Sequence, residues 1–274
     1  LIQYPIVASG VLRAGLVLVN TNPLYTQREL LHQFTDAGVT ALVCLVELLP
    51  TLEQVVPQTD IEQVIVTNIF DLMEAQPAPQ STLSGLVTLP EVFAQGAQLA
   101  LPDPGTGLND IAMLQYTGGT TGVAKGAVLT HGNILASTRQ SGAIVEIDED
   151  KPDIVIAPMP LYHIYGFTMN IVSTFCAGGH SVLVPDPRDI GGMIEIMKAH
   201  PFTALAGVNT LFVGLMQHPE FDAIDFSHVK GVIAGGAALV EDIASEWKRR
   251  TGSEIYEGYG LSETASALTC NSED

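Results

Sequence analysis

The feature that most constrains how this sequence can fold is an alternation of short apolar runs with helical patterns. In the second half, runs at 154–157, 181–184, 204–206, 231–234 and 254–256 read as strands. Stretches near 166–176 and over 190–199, 210–217 and 240–250 read as helices. Helices between short strands are the crossover connections that parallel strands need.

The N-terminal part repeats the pattern. Residues 1–15 read as the end of an amphipathic helix with Ile6, Val7, Val11 and Leu12 on one side, followed by a strand at 16–19 and a turn at 20–23. Thr26 is placed to cap a helix over 27–37, with Glu29 as its capping-box partner and Gly38 at its end. Residues 39–45, apolar except Thr40, read as a strand buried on both faces. A helix over 47–56, a strand at 64–67, a loop over 76–84 and a helix over 89–95 follow. Residues 101–109 are Pro/Gly-rich and form a connection, Thr130 caps a helix over about 132–145, and 148–153 is a charged turn. The predicted fold is α/β, layered, with mostly parallel sheets sandwiched with helices and approximate sub-parts 1–100 and 101–274. Ligands in such folds sit at the carboxyl ends of strands.

Between the apolar runs 111–114 and 127–129 lies Gln-Tyr-Thr-Gly-Gly-Thr-Thr-Gly-Val-Ala-Lys-Gly, residues 115–126. Glycines let backbone N–H groups converge on one point, threonine hydroxyls add donors, and lysine adds a mobile positive charge. That is the chemistry of a loop that closes over a polyphosphate, with a ligand-free surface hairpin as the competing reading. The common P-loop is disfavoured, because Ala124 precedes Lys125, Gly126 follows it, and a strand rather than a helix comes next.

Acidic residues outnumber Lys plus Arg by 30 to 11, which argues against nucleic acid and against electrostatic docking on anionic lipid. A few local cations still suffice for ATP. No apolar run approaches the roughly 18 to 20 residues of a membrane span. Cys44, Cys176 and Cys270 are far apart, with neither metal-ligand spacing nor a disulfide framework, which fits a reducing cytosol. Leu1 is not a natural start and no signal-peptide pattern is visible, so the chain reads as an excised piece.

Residues 116–131, YTGGTTGVAKGAVLTH, resemble the phosphate-binding signature of adenylate-forming enzymes, and most of all that of bacterial long-chain fatty-acyl-CoA synthetases. Two further blocks resemble the same family in the right order: residues 160–166, PLYHIYG, and residues 256–264, YEGYGLSET. Residues 16–30, with Val19, Asn20, Asn22, Pro23, Leu24 and Tyr25, favour the fatty-acyl branch over peptide-synthetase adenylation domains, luciferases and aryl-CoA ligases. The resemblance covers the whole chain and about half of a family member. It implies a partial N-terminal AMP-binding domain, 1–274, without the C-terminal domain.

The resemblance implies ATP, Mg²⁺ and coenzyme A as co-substrates and cofactor, and a long-chain fatty acid as substrate. It implies that Thr117, Gly118, Gly119, Thr120, Thr121 and Gly122 hold the β- and γ-phosphates. Lys125 would neutralise phosphate charge or stand as a solvated loop lysine. His163 would position the reacting carboxylate near the acyl site, its competing role being a satisfied structural histidine. Gly235, Gly236 and Ala237 would flank adenine, or serve a close helix–sheet contact. Within the block Glu257, Gly258, Tyr259, Gly260, Ser262, Glu263 and Thr264, Tyr259 would face adenine and a Ser262 or Thr264 hydroxyl would meet a phosphate. Glu263 would ligate Mg²⁺ bridging the phosphates. Two-step chemistry without a protein nucleophile follows, with His163, Glu263 and Thr264 as the catalytic set. Essential groups would lie downstream of Thr264, so the piece alone is expected to be inactive. Other adenylate-forming ligases, or a non-catalytic nucleotide- or acyl-binding module, are the alternatives. The parent enzyme is expected in the cytoplasm, with peripheral association at the inner face of the membrane and a homodimer both left open.

Overall fold

The computed structural model describes residues 1–74, 77, 79–117, 123–142 and 152–271. The chain divides into two compact units, one of residues 3–107 and 111–128, the other of residues 1–2, 108–110 and 129–274.

The first unit begins with α1 (Gln3–Arg13), which buries Gln3 and Ala8 and leaves Ile6 exposed. Of the expected apolar side Val7, Val11 and Leu12 are half-buried, and polar anchors add to it: Gln3 Nε2 donates to Asn68 O at 2.9 Å, and Tyr4 OH to Asn20 Oδ1 at 2.6 Å. After β1 (Leu18–Asn20), α2 (Gln27–Asp36) starts at the expected capping box. Thr26 Oγ1 accepts from Glu29 N–H, and the Glu29 carboxylate accepts from Thr26 N–H at 2.7 Å. Next comes β2 (Ala41–Leu45), where Ala41 is exposed and Cys44 alone is fully buried. The expectation of burial on both faces fails here because β2 is the edge of its sheet. Then follow α3 (Leu49–Val55), β3 (Gln63–Thr67), β4 (Leu86–Thr88) and α4 (Leu89–Gly96), the last capped by Thr88 with Glu91. Strand β4 was not expected; three half-buried residues carry too little pattern to announce it. The unit closes with β5 (Ile111–Thr117) and β6 (Lys125–Thr130), the second running past the unit's end at Val128.

Its two sheets run β1-β5-β6 and β2-β3-β4, with β1 parallel to β5 and the second sheet parallel throughout. Leu30 and Phe34 of α2, Leu49, Leu52 and Val55 of α3 and Val64 and Val66 of β3 form its core. The expected sub-parts 1–100 and 101–274 differ from this division at 1–2, 101–107 and 111–128. Leu18 of β1 lies opposite Met113 of β5, and that pairing ties the signature segment to the N-terminal strands.

The second unit opens with α5 (His131–Gly142), capped reciprocally: Thr130 Oγ1 accepts from Asn133 N–H at 3.1 Å and Asn133 Oδ1 from Thr130 N–H at 2.9 Å. After β7 (Ile154–Ala157), α6 (Ile164–Gly166) runs through a π-helical stretch, Phe167–Ser173, into α7 (Thr174–Cys176). The regular alternation follows: β8 (His180–Leu183), α8 (Ile190–Ala199), β9 (Ala204–Gly207), α9 (Asn209–Gln217), β10 (Gly231–Ala234) and α10 (Glu241–Thr251). The chain then enters a hairpin of β11 (Ile255–Leu261) and β12 (Ser266–Cys270).

The strand order is β12-β11-β10-β9-β7-β8, parallel except for the antiparallel β11–β12 pair. Trp247 of α10 is fully buried, its ring 5.2 Å from that of Phe212, 5.5 Å from Phe221 and 5.6 Å from Phe226, while Nε1 donates to Ser253 Oγ. Edge-to-face aromatic contacts of this kind, with the indole N–H satisfied, hold α10 against α9 and the connection that follows it. Among the described residues no helix is long and apolar enough to cross a membrane.

Candidate functional site

In the second unit the carboxyl end of β10 lies beside the early part of β11, where Ala234 is the register partner of Glu257. Gly235, Gly236 and Ala237 leave the end of β10. Their path is held by side chains from three directions. Tyr165 OH donates to Ile233 O at 3.1 Å, and burial pushes its phenol well above its ordinary pKa, so it stays a donor. Asn209, first residue of α9, donates through Nδ2 to Ala238 O at 2.7 Å and accepts at Oδ1 from Val240 N–H at 3.2 Å. Glu257 Oε1 accepts from Leu239 N–H at 3.0 Å. One oxygen of the Glu257 carboxylate is thus engaged with the backbone.

The motif 256–264 does not follow the end of a strand, as the apolar pattern suggested. Residues 256–261 are themselves strand, because β12 pairs with them, and Ser262–Thr264 make a tight 3₁₀ turn. Tyr259 on β11 is 58% exposed. Glu263 is exposed at the turn and Ser262 is half-buried. The Thr264 hydroxyl works within the turn, accepting from Leu261 N–H at 2.9 Å and lying 3.0 Å from Leu261 O and 3.2 Å from Ser266 O. At Gly260 the β11–β12 register shifts, and a Cβ there would collide with the Ser266 carbonyl. The backbone beyond the turn is strained: Ala265 has φ 54° and Ser266 φ 105°. Such conformations cost of order 1–3 kcal/mol each and persist only when surroundings over-determine them. Here two buried hydroxyls do so, Ser137 Oγ of α5 and Thr168 Oγ1 of the π-helical stretch, each donating to Ala265 O at 3.0 Å.

His163 caps α6, its Nδ1 accepting from Tyr165 N–H at 3.2 Å. The residue is exposed, yet surrounding chain still desolvates the ring and lowers its pKa. With Nδ1 accepting, the ring proton sits on Nε2. In the first unit, Thr117 ends β5 half-buried and Lys125 opens β6 exposed. Gly118, Gly119, Thr120, Thr121 and Gly122 lie outside the described residues.

Among the described residues no group of three or more His, Cys, Asp or Glu side chains converges on one point. Burial pushes the Cys44 thiol up to about 12, so it stays protonated. Asn209, Ser137 and Thr168 escaped sequence reasoning. Asn209 had a usable signal, since it opens a helix two residues after a strand end. The two hydroxyls, on helices remote from the motif, had none.

The sequence matches the family described as AMP-binding enzyme over residues 1–274. It is 40% identical to a long-chain-fatty-acid–CoA ligase of Yersinia pestis, over 100% of this chain and 51% of that protein. It is 27% identical to 4-coumarate–CoA ligase 3 of Arabidopsis thaliana, over 95% of this chain and 44% of that one. Among solved structures, ATP-bound MatB from Rhodopseudomonas palustris matches with a TM-score of 0.80 and 26% identity over 100% of this chain and 50% of its own. The anthranilate CoA ligase AuaEII in complex with anthranoyl-AMP matches with a TM-score of 0.84 and 22% identity, covering 97% and 49%. The chain spans about half the length of the curated relatives it matches.

Proposed function

This chain belongs to the AMP-binding enzyme family, and from that premise we propose that it supplies the substrate-activating half of a long-chain-fatty-acid–CoA ligase. An oxygen of the fatty carboxylate attacks the α-phosphorus of ATP, and the bond to pyrophosphate breaks. The thiol of coenzyme A then loses its proton, attacks the acyl carbon and displaces AMP. The observation that carries this reading is β11 itself, which pairs with β10 at Ala234–Glu257, braces the path after β10 through Glu257 and Leu239, and leaves the Tyr259 ring and the Glu263 carboxylate exposed further along.

In this reading the Tyr259 ring and the backbone of Gly235, Gly236 and Ala237 receive adenine. Glu257 keeps that path in place through Leu239. Ser262 offers its hydroxyl to a phosphate. Glu263 holds Mg²⁺, whose charge offsets the negative charge that builds on the phosphates. Thr117 and residues 118–122 take the β- and γ-phosphates, with Lys125 as the local cation. His163 orients the fatty carboxylate through Nε2–H. These contributions are positioning and preorganised electrostatics, which need no protein nucleophile.

Fatty-acid-dependent exchange of pyrophosphate into ATP by the parent enzyme tests the reading. Exchange with a long-chain fatty acid, and little with 4-coumarate, is the expected result. Exchange with 4-coumarate alone would favour the aryl-CoA ligase reading that the Arabidopsis relative supports. Exchange with neither would overturn both.

A further inference from the structure

Beyond its first turn helix α2 lies outside every segment that carries the resemblance, yet its polar side reaches both ends of the signature segment. Asp36 Oδ2 accepts from Tyr116 OH at 2.6 Å, and His32 Nε2 lies 2.8 Å from Ala124 O. A carbonyl only accepts, so His32 donates and its Nε2 carries the proton. The two residues are one helical turn apart and share a face. The His32 and Tyr116 rings also meet edge to face, with centroids 6.5 Å apart. Gly126 completes the contact from β6, since a Cβ there would lie 2.9 Å from Tyr116 Cε2. Tyr116 is buried, and desolvation with the adjacent Asp36 carboxylate keeps its phenol protonated.

The helix itself is anchored independently of these contacts. Leu30 and Phe34 are buried in the core, Gln33 Nε2 donates to Asn20 O at 2.8 Å, and the Thr26–Glu29 box fixes its start. Packing alone asks for none of the contacts at Tyr116 and Ala124, which lie 80 and 92 residues away in sequence. We infer that His32 and Asp36 are positioning residues that hold Tyr116 and Ala124, and so fix the two ends of the phosphate-binding segment in advance of ATP. This rests on the assignment of that segment to ATP phosphates above. Ends already held in place need not be fixed at the ligand's expense, and that saving appears as nucleotide affinity.

The test compares wild type with His32→Ala, His32→Gln and Tyr116→Phe. Amide hydrogen exchange on the 274-residue chain reads the tether, and the KM for ATP in the parent enzyme reads its consequence. Loss of one such bond should raise exchange in peptides covering 115–126 by up to about tenfold, and raise the KM for ATP by a similar factor. The KM for fatty acid, and exchange in peptides covering β2 and β3, should stay at wild-type values. His32→Gln, whose amide N–H reaches as far as Nε2, should recover most of both effects. Wild-type exchange across 115–126 in both His32→Ala and Tyr116→Phe would overturn the inference. Raised exchange with an unchanged KM for ATP would overturn it equally. If the parent enzyme does not use ATP, the functional assignment fails, while the exchange arm still decides whether α2 tethers the segment.

Discussion

At the scale of single residues, Glu263 and His163 make opposite demands on their surroundings. Glu263 stands exposed on a turn, and nothing in its own folding requires a carboxylate there. Glu263→Gln in the parent enzyme should therefore leave the melting temperature unchanged. It should slow pyrophosphate exchange about 10²-fold or more, the cost of losing a charged ligand to Mg²⁺ in the transition state. A wild-type rate would remove Glu263 from the metal site. His163, by contrast, is tied to the backbone through an acceptor nitrogen that protonation abolishes. Its pKa is lowered by desolvation, so between that value and the ordinary 6.5 the unfolded chain binds a proton that the folded chain does not. Stability from this group is present above pH 6.5 and is lost as pH falls through the lowered native value. Thermal melts from pH 8 to pH 5 should show a smaller acid loss in His163→Asn, which caps without titrating, than in wild type. Parallel curves for the two proteins would deny His163 this part.

At the scale of elements, the hairpin β11–β12 is the piece that the sequence concealed. Capping chemistry was legible: Thr26 with Glu29, and Thr130 at the start of α5, stand where side-chain oxygens can meet free N–H groups. Strands β7 and β10 and helix α8 were legible because apolar spacing alone decides them. The hairpin was not, because Gly258, Tyr259 and Gly260 lack a strand-like alternation and are extended only through pairing with β12. The motif residues could be named while the element bearing them could not. The π-helical stretch escaped for a related reason, as its residues suit an ordinary helix. Its Thr168 and α5's Ser137 share one acceptor, the carbonyl of Ala265. Ser137→Ala or Thr168→Val alone should each destabilise by about 1 kcal/mol, since the other hydroxyl keeps that carbonyl paired. The double variant should cost more than the sum, because a buried carbonyl is then left without a partner. Strict additivity in urea unfolding would show that Ala265 O finds water instead.

At the scale of the whole molecule, each unit has a core of its own, and the chain's single tryptophan sits in only one of them. Trp247 fluorescence should therefore report the second unit, while far-ultraviolet circular dichroism averages both. Non-coincident urea transitions by the two probes are the expected outcome. Superimposable curves would mean that the units unfold as one. The division between units also sets where sequence can be exchanged between relatives. The Pro/Gly-rich stretch 101–109 looks like the natural seam, being outside every helix, strand and motif. A hybrid joined there would nevertheless set a foreign β1 beside the native β5, and foreign counterparts of His32 and Asp36 against the native Tyr116 and Ala124. A hybrid joined after Val128, in the middle of β6, inherits strand partners, tether and signature from one parent. The seam that looks safest in the sequence divides the most interdependent part of the molecule, and the cut through a strand is the one that keeps a working inheritance whole.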